Sequence, residues 1–247
     1  TTLNTVERID MIEKSFGVDA KIFKKMTPGD KNIFALAVDN GDFVTASKLL
    51  ESNGGDFKFI KQMLDDTLEE ALATKAIKKE DLMEGVNYYP RVIKDFDGFM
   101  EFLGKEISDP IQSAWASREG VLGRPLTEVE KSNIANTLIR GFKSDGVSVK
   151  AGAFKERTVQ KVTPEMLKFY HDPITAITKY AEAVTNNIEW NKMVGKIEPG
   201  AQGMYTADST IGAVVYKLLD DGKISQSQVE DVRSMMNSLA KAKGTNG

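Results

Sequence analysis

Four carboxylates crowd one short stretch of the chain, Asp65, Asp66, Glu69 and Glu70. On a helix this spacing brings them within reach of one another, which suits a Mg²⁺ site or a paired acid and base. The apolar positions around them, Phe57, Ile60, Met63, Leu64, Leu68, Ala71 and Leu72, form a stripe along a helix over about residues 56–73. That stripe makes the acidic residues the wet face of an amphipathic helix. His171, the only histidine, lies between Tyr170 and Asp172-Pro173. An adjacent Asp can orient an imidazole as a general base, but no Ser or Cys nucleophile motif accompanies it, so a turn or helix-cap role fits better. A hydrolase or metal site around Asp65, Asp66 and His171 is the third of three readings.

A second chemistry is suggested by Lys143, Lys150, Lys155, Arg157, Lys161 and Lys168, which outnumber Asp145, Glu156 and Glu165 and are interleaved with Phe142 and Phe154. Cations that meet phosphates and rings that stack on bases make this basic loop the local candidate for nucleic acid. Solvated lysines on a long loop are the plainer account. Between Gly141 and Gly152 the spacing matches neither the P-loop nor the dinucleotide fingerprint, so nucleotide chemistry has no support.

The stretch Gly85-Val-Asn-Tyr-Tyr-Pro-Arg-Val-Ile-Lys-Asp95 interrupts a run of helical patterns. Pro90 removes a backbone donor and pushes Tyr89 toward an extended conformation, so the chain must leave any preceding helix here. Tyr88, Tyr89, Pro90 and Arg91 are therefore assigned as a structural joint. Tyr88, Tyr89 and Val92 pack against neighbouring helices, and Arg91 reaches a carboxylate or a helix C-terminus. Trp115 and Trp190 fill core or groove positions, as does the Met235-Met236 pair by default. No catalytic residue, metal or cofactor is assigned.

Composition narrows the classes further. With 41% hydrophobic and 28% charged residues in 247, the chain has the makeup of a folded globular protein. A formal charge of -3 gives no bulk attraction to DNA or anionic lipid. No cysteine and one histidine leave no zinc ligand set. No apolar run approaches the ~20 residues that span a bilayer, so no membrane-spanning segment is expected. The start, Thr1-Thr-Leu-Asn, lacks a signal-peptide plan, and a soluble, unexported chain is expected. It begins without Met and ends Lys-Gly-Thr-Asn-Gly, as a segment of something longer would.

Punctuation places the elements. Helices are expected from Leu3 to a stop at Gly17, after Thr27-Pro28 up to Asn40-Gly41, and from Phe43 to Asn53-Gly54. Others should cover Phe99 to Leu103, Ile107 to Ala116, and a segment from a Thr127/Glu130 capping box to about Arg140. Thr163-Pro164 and Asp172-Pro173 each open a helix, the second running to Trp190, and Thr210–Asp220 with Ser225–Ala242 closes the chain as a hairpin. Only Val147–Val149 and Thr158–Val162 hint at strand. The fold class is mainly α, an irregular multi-helix bundle with long loops and little or no sheet. Its regions are an N-terminal helical part (1–84), the joint (85–98), a central helical part (99–204) with the basic loop at 141–163, and the C-terminal hairpin (205–247).

The order of several motifs adds to this reading. Phe34-Ala-Leu-Ala-Val-Asp-Asn-Gly-Asp-Phe is followed by the acidic helix, Asn87-Tyr-Tyr-Pro-Arg-Val-Ile-Lys-Asp, Leu122-Gly-Arg-Pro-Leu-Thr and Phe154-Lys-Glu-Arg-Thr. Then come Thr163-Pro-Glu-Met-Leu-Lys-Phe-Tyr-His-Asp-Pro, Tyr180 to Gly195, and Ser209-Thr-Ile-Gly-Ala with Gly222-Lys-Ile-Ser. Over about residues 30–240 this order resembles a helical region of the large polyvalent proteins of tailed bacteriophages and related mobile elements. The resemblance implies a very long parent chain that rides inside the virion and enters the host cytoplasm with the genome, with other virion or parent-chain segments as partners and phage DNA as the nucleic acid the basic loop would meet. It supplies no catalytic residue. Many such relatives have Phe where this chain has Tyr89, which implies that the hydroxyl is dispensable and the position packs.

Overall fold

Local capping fixes where the first helices start. Helix α1 (Thr5–Phe16) opens on a reciprocal box in which Asn4 Oδ1 accepts from the Glu7 N–H at 2.9 Å and the Glu7 carboxylate accepts from the Asn4 N–H at 2.7 Å. After a 3-10 turn (Val18–Ala20) and the short α2 (Lys21–Lys25), Thr27 caps α3 (Pro28–Asp39) ahead of Pro28. Asp42 caps α4 (Phe43–Ser52), accepting from the Thr45 N–H at 3.1 Å. The chain then turns through Gly55 into α5 (Lys58–Ala73). A Cβ on Gly55 would lie 2.6 Å from the Ser15 carbonyl oxygen, so only glycine lets this turn approach the end of α1. Ser15 then ties the two helices, its hydroxyl accepting from the Ile60 N–H at 3.0 Å.

The computed structural model describes residues 3–74, 89–139, 162–194 and 210–243. Its later helices are α6 (Phe96–Leu103), α7 (Lys105–Leu122), α8 (Glu128–Ile139), a 3-10 helix (Pro164–Phe169), α9 (Pro173–Val194), α10 (Thr210–Asp220) and α11 (Gln226–Lys243). The protein is mainly α-helical, and among the described residues it has no strand, only an isolated antiparallel bridge between Ile93 and Tyr170. The strand hints at 147–149 and 158–161 lie outside the described residues. Among these residues, no helix is long and apolar enough to cross a membrane. Helix α7 runs well past the expected Ala116, to Leu122, and tolerates Pro110 in its N-terminal half.

Among the described residues, three hydrophobic clusters organise the helices. Phe34, fully buried, anchors the first, meeting Phe16, Phe23 and Phe57 edge-on at centroid distances of 5.8, 6.0 and 6.3 Å. The second gathers α6, α7, α8 and the 3-10 helix around Phe99, Ile111, Ala135 and Met166. The third, around Val215, Val229 and Met236, belongs to the α10–α11 hairpin. Helix α9 runs between them. Its Ile177 and Ala181 sit in the first cluster, while Trp190 packs against the third. Met235 and Met236 part company, with Met235 56% exposed and Met236 buried, because adjacent helical residues point to different sides.

The acidic stretch on α5 does not act as one face. Asp65 pairs with Lys61 at 2.7 Å and Asp66 accepts from the Gln62 amide at 2.7 Å, both along the helix surface. Glu70 turns inward instead, and the expected wet face loses it. Its Oε2 meets the Arg8 guanidinium at 2.7 Å and its Oε1 accepts from the Leu3 N–H at 2.7 Å. Arg8 is fully buried and also donates to Thr67 Oγ1 at 3.1 Å and to the Leu3 carbonyl. A guanidinium can be buried only with its donors satisfied, which is why the pair sits where α1 crosses α5. Arg8→Met, which strands the Glu70 carboxylate, should lower the unfolding free energy by about 3–5 kcal/mol. Replacing both residues by Met should recover part of that loss, and urea unfolding of the single and double variants measures both effects.

Candidate functional site

From Tyr89 to Ile93 every residue is buried, although none belongs to a helix. The peptide groups of this extended segment must therefore find partners elsewhere. The Arg91 carbonyl accepts from Asn136 Nδ2 at 2.9 Å, and the Ile93 N–H donates to Ser132 Oγ at 2.9 Å, both side chains projecting from α8. The Val92 carbonyl accepts from the His171 N–H at 2.8 Å, and the Lys94 N–H donates to the Phe169 carbonyl at 2.9 Å. The segment is thus paired by helix side chains on one edge and by backbone 169–171 on the other.

Its side chains join two cores. Tyr89 packs in the first hydrophobic cluster and Ile93 in the second. The Tyr89 hydroxyl donates to the Pro173 carbonyl at 2.7 Å, at the start of α9. The expectation that this hydroxyl is dispensable is overturned, because it forms a buried hydrogen bond that ties the joint to the first turn of α9. Burial, reinforced by the charges of Asp39 and Asp172, holds its pKa well above the ordinary phenol range. Arg91 is buried as well, yet no carboxylate among the described residues pairs with its side chain, and its visible contribution is the carbonyl bond to Asn136. Tyr88 lies outside the described residues.

Beside the joint, His171 meets Glu128 through Nε2, while the other carboxylate oxygen of Glu128 lies 3.2 Å from Lys179 Nζ. The partner of the imidazole is therefore Glu128 on α8. Asp172, its sequence neighbour, instead caps α9 by accepting from the N–H groups of Ile174 and Thr175 at 3.0 Å each. Helix α8 is fixed at its start by the Thr127/Glu130 box, with Thr127 N–H to Glu130 at 2.9 Å and Glu130 N–H to Thr127 Oγ1 at 3.3 Å. Arg124 adds two bonds to the same carboxylate at 2.7 and 2.8 Å. Burial would push the Glu130 carboxyl up, but the bonds from Arg124 and Thr127 outweigh it and hold the pKa below the ordinary value.

The remaining candidates do not converge. Asp65 and Asp66 lie on the outer side of α5, and His171 is engaged between α8 and α9. Among the described residues no three potential ligands gather to hold a metal ion. Of the basic set, Lys143, Lys150, Lys155, Arg157 and Lys161 lie outside the described residues, as do Phe142 and Phe154. Lys168 is exposed on the 3-10 helix, with Nζ 4.8 Å from the Phe169 ring centroid. Thr163 occupies the cap position of that helix without a side-chain bond to its backbone.

Sequence reading missed Ser132, Asn136 and Asn40. The first two are an i, i+4 polar pair on α8, set among the buried Ala135, Leu138 and Ile139, and a polar pair on a buried face is a signal that something must be bonded there. Asn40 looked like turn punctuation, yet its amide binds the Val162 backbone in both directions, donating to the carbonyl at 3.1 Å and accepting from the N–H at 2.8 Å. Compared with known proteins, the chain matches no family model, no curated protein and no solved structure.

Tyr89→Phe should cost about 0.5–1.5 kcal/mol in urea unfolding, the net worth of one buried hydrogen bond. Because the folded pKa is raised, the hydroxyl contribution is intact below about pH 10 and is lost as pH rises beyond it. The alkaline decline in stability should therefore be shallower in the variant. Glu130 carries the opposite sign. Its folded pKa is lowered, so its contribution is present above the ordinary carboxylate range and lost as pH falls through and below it. Glu130→Gln should flatten the acid side of the stability profile, read from melting temperature against pH.

Proposed function

We propose that this chain is a non-enzymatic helical segment of a bacteriophage virion-interior or ejected protein, acting as scaffold, cargo or a platform for other virion or parent-chain segments. The observation that carries the reading is the joint. In the stretch with the most distinctive residues, Tyr89, Arg91, Val92, Ile93 and Lys94 each bond to α8, to residues 169–171 or to Pro173. Buried polar groups engaged in holding helices together in this way are poorly placed to handle a substrate. The other polar candidates follow the same pattern, with Glu70 committed to Arg8 and His171 to Glu128. The motif order running from the Phe34 block to Gly222-Lys-Ile-Ser supplies the phage setting by resemblance.

The test is direct. Mass spectrometry of gradient-purified particles should recover peptides of this chain at a constant ratio to capsid protein across the particle peak. Their consistent absence from particles, with the chain present in the infected lysate, would overturn the proposal.

A further inference from the structure

Two turns of this chain share one chemistry. Asn40-Gly41 ends α3 and Asn53-Gly54 ends α4. Their backbones are nearly the same, with φ -99° and ψ 6° at Asn40 and φ -101° and ψ 7° at Asn53, each followed by a glycine at positive φ. Each glycine N–H also donates to the carbonyl three residues back, Gly41 to Val38 at 3.2 Å and Gly54 to Glu51 at 3.0 Å. Asparagine before glycine is prone to deamidation, because glycine has no Cβ to hinder its nitrogen as it approaches the asparagine side chain. The glycine nitrogen bonds to Cγ and gives up its proton, and the Cγ–Nδ2 bond breaks with Nδ2 leaving as ammonia. Water then opens the cyclic imide to aspartate or isoaspartate. The attack requires the side chain to rotate so that Cγ meets that nitrogen, and whatever holds the side chain governs the rate.

Here the two turns differ. The Asn40 amide is held at both polar atoms by Val162, a residue distant in sequence, at 3.1 and 2.8 Å. Asn53 donates through Nδ2 to Leu49 O at 2.9 Å, within its own helix end, and lies 3.5 Å from Ser52 Oγ. Its neighbour Gly54 is exposed, with no atom within 4 Å of where a Cβ would stand. We propose that Asn53-Gly54 is the spontaneous deamidation site of the folded protein, and that the tether to Val162 holds Asn40-Gly41 unreactive. Asn40 is then a latent covalent switch. An aspartate there still accepts from the Val162 N–H but has no N–H for the Val162 carbonyl, so conversion would set a carboxylate against that carbonyl and weaken the contact between the α3–α4 turn and the segment leading into the 3-10 helix.

Peptide mapping by mass spectrometry, after incubation of the whole chain in mildly alkaline buffer, reads both sites in one sample. Asn53 should convert at least about twofold faster than Asn40, the factor that the one additional hydrogen bond at Asn40 supplies at the low end of its range. In guanidinium-unfolded chain the two rates should converge. Equal rates in the folded protein, or a faster Asn40, would overturn the proposal. So would a disparity that persists after unfolding, since local sequence would then account for it. Val162→Pro removes the N–H that Asn40 accepts, and in a variant shown by circular dichroism to be folded it should speed conversion at Asn40 while leaving Asn53 unchanged. An unchanged Asn40 rate in that folded variant also overturns it.

Discussion

A peptide group buried away from water must be hydrogen-bonded, and the stretch from Tyr89 to Ile93 is buried with no helix of its own to meet that demand. Its partners come from three places, the Ser132 and Asn136 side chains on α8, the backbone at 169–171, and the Pro173 carbonyl that Tyr89 meets. Each of these can reach the segment only if α8, the 3-10 helix and the start of α9 are in place together. The joint is therefore a condition on the whole arrangement, and the two hydrophobic clusters it touches are held in one relation to each other by it.

The charges show the same economy. Arg8 and Glu70 bind α1 to α5, Arg124 and Glu130 close the turn between α7 and α8, and Glu128 stands between His171 and Lys179 where α8 faces α9. These pairs are more enclosed than the surface i, i+4 bridges such as Lys14–Asp10 and Lys61–Asp65, whose side chains are about half exposed. Exposed pairs of that kind contribute little. Arg8–Glu70, the most enclosed of them, fixes how α1 meets α5, because a desolvated charge tolerates only the geometry that pairs it. Helix α9 benefits most, being tied at its first turn by Tyr89 and along its length by apolar contacts to the first cluster.

This bears on the chemistry. Spacing along the chain marks residues of reactive type but holds no information on what faces them. Glu70 has the same sequence credentials as Glu69, yet only Glu70 lies over Arg8, and the difference is one of rotation about α5. His171 is flanked by an Asp that turns out to be occupied with the N–H groups of α9. The imidazole finds its carboxylate 43 residues away in the chain, on α8.

The sequence by itself determined the helical class and most helix starts. Caps and glycine stops act within a few residues, as with Thr127 and Glu130, Thr27 before Pro28, and Asp42. It also marked Tyr-Pro as a place where helix must give way, since the proline ring acts on its immediate neighbours. Tertiary structure alone decided what the interrupted segment binds, which acidic residue turns inward, and that Asn40 reaches Val162. Those outcomes depend on contacts between residues far apart in the chain, whose energies appear only after the helices have packed.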